Sequence, residues 1–66
     1  MLDDIPLADQ IACVKREVQM RRIVYPGRIA AKRMTQATAD KEVARMEAVL
    51  RTLEAYARGV DELKGS

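Results

Sequence analysis

The sequence predicts an all-α protein: an antiparallel helical hairpin with a short helical connector, pairing with a second copy to make a four-helix bundle. Three observations carry this. Ala39, Val43, Met46, Leu50, Leu53, Ala57 and Val60 recur at alternating intervals of four and three residues, the seam of a helix lying along another helix. Leu7, Ile11, Val14, Val18 and Tyr25 make a similar stripe, interrupted by Arg21. Between the two stripes, Tyr25-Pro26-Gly27 combines a ring that clashes with a continuing helix and a residue free to turn.

The elements follow in order within one small domain. Residues 1–5 form a flexible acidic arm, and Pro6 suits a first helical turn, where its missing N–H has no partner to lose. A first helix is expected over residues 6–24, with Asp9 near its start and Arg21 and Arg22 near its end, the signs that the helix dipole favours. Residues 25–34 form a bend with a short helical turn. Thr35 supplies a capping oxygen for a second helix over residues 36–58, and residues 61–66 fray.

Antiparallel folding sets Leu7, Ile11, Val14 and Val18 against Val43, Met46, Leu50 and Leu53. Ile5, Met20, Ile23, Val49 and Tyr56 do not fit the same stripe, and a two-helix hairpin has no third layer to cover them. A symmetric dimer is the simplest remedy, with Tyr56 packing across its seam.

Charge is unevenly distributed. Residues 1–14 hold three acids and no Lys or Arg, and residues 15–33 hold seven basic residues against Glu17 alone. Arg21, Arg22, Tyr25, Arg28, Lys32 and Arg33 are therefore the expected partner-binding set at the bend. Arg21 has a competing role, since its place in the apolar stripe suits a buried stem paired with a carboxylate. Tyr25 is either the residue that closes the hairpin or a ligand contact. A phosphate-binding reading of the same cations, as a basic nucleic-acid-binding accessory protein, is the alternative. It lacks interleaved aromatics, a glycine-rich cradle or a helix-turn-helix.

Other chemistry has little material. The chain has no histidine, and Cys13 is its one cysteine, which excludes an internal disulfide and fits a reducing cytoplasm. Asp40, Glu47, Glu54 and Asp61 are seven apart, but Arg51 and Arg58 stand four residues beyond Glu47 and Glu54, so pairing along the helix explains them better than a metal. No enzyme activity, metal, cofactor, signal peptide or membrane span is expected.

The run Arg16-Glu17-Val18-Gln19-Met20-Arg21-Arg22-Ile23-Val24-Tyr25-Pro26, continued by residues 28–42 and 46–50, resembles small uncharacterised helical proteins of bacteriophages and prophages. Gly27 departs from that pattern, in which an arginine directly follows the proline. The resemblance implies an accessory protein that binds a host or phage protein in the host cytoplasm.

The seam expectation is testable at Leu50. Truncating a fully buried leucine to alanine costs about 2–5 kcal/mol, so Leu50→Ala should lower the denaturation midpoint clearly.

Overall fold

In the computed structural model, two helices fold back on each other: α1 (Leu7–Ala30) and α2 (Gln36–Gly65). The structure describes residues 5–65, with side chains through residue 60 and that of Leu63. The pairing is antiparallel, because Lys15 meets Glu54 while Arg22 meets Glu47. No strand occurs among the described residues. The hairpin is the all-α architecture expected from the two stripes.

α1 starts one residue later than expected. Pro6 is its N-cap, and the Pro6 carbonyl accepts from the N–H groups of Asp9 (3.0 Å) and Gln10 (3.1 Å). Proline offers no side-chain cap, and Gln10 Nε2 instead holds the Ile5 carbonyl at 2.9 Å. The arm expected at residues 1–5 otherwise lies outside the described residues.

The largest correction is at Pro26. The expected break at Tyr25-Pro26-Gly27 is absent, and α1 runs through it to Ala30. Pro26 cannot donate to the Arg22 carbonyl, but it lies in the last turns of the helix, so one missing hydrogen bond is the main loss. The gain is register: a continuing helix keeps Tyr25 and Ile29 on the face that already carries Val18. Tyr25 is buried to 9% exposure and Ile29 is half-buried.

The turn comes later and is short, residues 31–35. Lys32 takes φ 60°, the left-handed region. Its N–H donates to the Ile29 carbonyl (3.0 Å), and the Arg33 N–H donates to the Arg28 carbonyl (2.9 Å). These two bonds make a Schellman motif, which satisfies carbonyls that the end of α1 would otherwise leave open. Gly27 is not the turning residue. α2 opens as expected on Thr35, whose Oγ1 accepts the Thr38 N–H (3.1 Å) and donates to Thr38 Oγ1 (2.9 Å). It then continues to Gly65, so residues 61–65 are helical rather than a fraying tail. Gly59 does not stop it, because one interior glycine costs only about 1 kcal/mol relative to alanine.

The core is thin. Val18 (6% exposed), Tyr25 (9%) and Ala39 (3%) are the buried residues among those described. Leu7, Ile11, Val14, Val43, Met46, Leu50 and Leu53 are on the seam as expected but only half-buried. Tyr56 is not in this core, at 64% exposure, and Ile5, Met20, Ile23 and Val49 are exposed with it. Two helices in contact along one line leave both flanks of that line open. The Leu50→Ala loss in an isolated hairpin should therefore sit near the low end of its range.

The turn generates its own prediction. A non-glycine residue in the left-handed region is strained by about 1–2 kcal/mol, so Lys32→Gly should stabilise the hairpin by about 1 kcal/mol. Thr35→Ala should cost about as much through the lost cap. Thermal melts at matched concentration should move in opposite directions by about 4–8 °C.

Candidate functional site

The basic residues expected to gather at the bend divide into two groups. On the body of α1, Lys15, Arg21 and Arg22 reach across to α2, while Arg16 is exposed and makes no salt bridge among the described residues. Lys15 Nζ lies 3.8 Å from Glu54, and Arg22 Nη2 donates to Glu47 Oε2 at 2.7 Å. Each cation and each carboxylate is one heptad from the next, so both pairs fall on one flank of the seam, the usual arrangement beside an antiparallel helical contact. Arg21 belongs to the other flank: its Nη1 is 3.4 Å from Glu42 Oε2, and Arg45 Nη1 donates to Glu42 Oε1 at 3.1 Å.

These contacts revise two expectations. Glu47 and Glu54 pair across the seam rather than with Arg51 and Arg58 along α2. Arg21 and Arg22 each meet a carboxylate of α2, which leaves Arg28, Lys32 and Arg33 as the cations of the expected partner-binding set without one among the described residues. Arg21 takes the architectural role: its side chain is 27% exposed, and its stem fills a stripe position between Val18 and Tyr25. The signal for the cross pairs was legible as matching seven-residue spacings, 15 to 22 on one helix and 47 to 54 on the other.

The second group stands at the tip. Arg28, Lys32 and Arg33 are exposed and make no salt bridge among the described residues. The Arg28 guanidinium lies 5.9 Å from the Tyr25 ring centroid, within cation–π range. Tyr25 thus closes the hairpin with one side of its ring environment and steadies Arg28 with the other. Next to the tip is a cleft of about 320 Å³ whose apolar lining includes Tyr25, Pro26, Ile29, Ala39 and Val43. The Arg22–Glu47 pair and Asp40 supply its polar rim, with Asp40 accepting from Gln36 Nε2 at 2.9 Å.

The site is thus three open cations, one on the last turn of α1 and two on the hydrogen-bonded turn after it, beside a shallow cleft. It can hold anionic groups by charge-assisted hydrogen bonds. No known protein family matches the chain, and neither a curated protein nor a solved structure matches it. Among the described residues there is no cluster of three potential metal ligands. Cys13 is exposed on α1. No described helix is long and apolar enough to cross a membrane.

The division between the two arginines predicts unequal losses. An exposed ion pair contributes a few tenths of a kcal/mol, whereas Arg21 also packs its stem. Arg22→Ala should scarcely shift the thermal midpoint, and high salt should erase what shift there is. Arg21→Ala should lose about 1 kcal/mol and keep most of that loss in salt. Equal, salt-sensitive losses would remove the architectural role.

Proposed function

We propose that this chain is a non-enzymatic accessory protein of the phage type, acting by protein–protein contact in the host cytoplasm. In this reading it is a homodimer of hairpins, free of cofactors, whose tips engage an acidic surface on a host or phage protein. One observation carries the binding end: Arg28, in the last turn of α1, and Lys32 and Arg33, on the ordered turn that follows, stand together without carboxylate partners among the described residues, while Lys15, Arg21 and Arg22 are used internally. Open cations at fixed positions favour recognition of complementary charge.

The thin core supports the homodimer. A 66-residue chain with three buried residues among those described has little apolar burial to set against the entropy of ordering. A second copy supplies the missing layer.

The test replaces Arg28, Lys32 and Arg33 by alanine together. These side chains are exposed, so helicity should be unchanged by circular dichroism. A pull-down from host lysate should retain a defined protein on the wild type and lose it on the triple variant and in high salt. Duplex DNA is the competing ligand. If the tip holds phosphates, log affinity should fall with log salt with a slope of about −2.7 for three contacts, and the triple variant should flatten it. That result would replace the protein-binding reading, and indifference of all binding to the triple variant would remove the tip as the site.

A further inference from the structure

α2 carries a second stripe that its contact with α1 does not use. Val49, Thr52, Tyr56 and Gly59 follow at intervals of three, four and three residues, so they share one face, displaced around the helix from the seam. Val49 is 45% exposed and Tyr56 64%. The hydroxyl of Thr52 donates to the Ala48 carbonyl at 3.1 Å, so this position of the stripe can leave water without losing its donor's partner. Gly59 has no intrachain reason to be glycine. Its φ is not positive, and a Cβ there would meet nothing within 4 Å. A mid-helix glycine with open space above it is explained by another backbone passing close.

We infer that this stripe seats a second copy of the chain, docked with its α2 antiparallel about a two-fold axis near Thr52. This deepens the homodimer reading above and rests on it. The axis places Val49 of each copy against Tyr56 of the other, an isologous contact that fills both exposed positions at once. Charge fixes the direction. Residues 28–41, at the tip, hold four basic residues and one acid, Asp40, whereas residues 1–14 hold three acids and no base. Antiparallel docking lays one copy's basic tip toward the other's acidic end, and parallel docking crowds two basic tips together.

Area agrees. The chain exposes 5392 Å² at 7.4 kDa, against about 4,200 Å² for a compact monomer of that mass. The excess of about 1,200 Å² per chain is of the size that a stable dimer interface removes.

Sedimentation equilibrium tests the surface, using the full chain and two variants, Val49→Glu at an exposed position and Gly59→Leu at a half-buried one with open space above it. The wild type should be dimeric at micromolar concentration. Each variant should keep its helicity and weaken the dimer about ten-fold or more, while Ile23→Asp on the back of α1 should not. Spin labels on Ala37→Cys, in a Cys13→Ser background, report direction: position 37 lies 15 residues from the axis, so antiparallel copies should place the labels about 45 Å apart. A wild type monomeric at every concentration would overturn the homodimer and this inference together. A dimer that survives both variants, or labels within about 20 Å of each other, overturns this docking and leaves the homodimer standing.

Discussion

A pair of helices can cover only one line of contact between them, and the chain's other features follow from that shortage. Val18, Tyr25 and Ala39 are the buried residues of that line among those described. Residues a step to either side are half-buried, because nothing lies beyond them. Under this constraint polar atoms take over work that a larger domain assigns to apolar ones. Lys15, Arg21 and Arg22 bridge to Glu54, Glu42 and Glu47 along both edges of the seam. Such exposed pairs add little stability each, and their main effect is to select the antiparallel register over a slipped one.

The continuation of α1 through Pro26 belongs to the same balance. Ending the helix at Val24 would have spared one unsatisfied carbonyl but removed Tyr25 and Ile29 from the seam. In a protein with so few buried side chains, losing an aromatic one costs more than losing a hydrogen bond in water's reach. The helix therefore runs on until Ala31 and Lys32, where the geometry for returning the chain is available. Tyr25 is consequently both the largest buried side chain among the described residues and the support under Arg28, which ties the tip's cationic surface to the packing of the hairpin.

The sequence showed the architecture well because apolar spacing is a repeated signal. Seven positions of α2 and five of α1 lie on the seam or beside it as their periodicity requires. The surplus set Ile5, Met20, Ile23, Val49 and Tyr56 was equally legible, since each lies off the stripes. Local signals did worse. Pro26 and Gly27 read as a break, yet tertiary packing overrode both, and the actual turning residue, Lys32, carries no turn signature at all. The site was half legible for a related reason: composition locates a cluster of cations, but only the partner helix decides which of them are neutralised. Arg22 and Lys15 left a trace in matching seven-residue spacings, but Arg21 meets Glu42, 21 positions away, and no local pattern contains that pairing.

The hydrogen-bonded turn has a consequence for how the chain is attacked by proteases. Lys32 and Arg33 present adjacent trypsin-type cleavage points on the surface, but a protease needs an extended backbone in its active site. Here Lys32 is left-handed, and the N–H groups of both residues are tied to carbonyls of α1. Cleavage must wait for the last turn of α1 to open, so the rate of nicking there becomes a measure of local unfolding rather than of exposure. This exposed basic pair is in this way also a gauge of how firmly the two helices are joined.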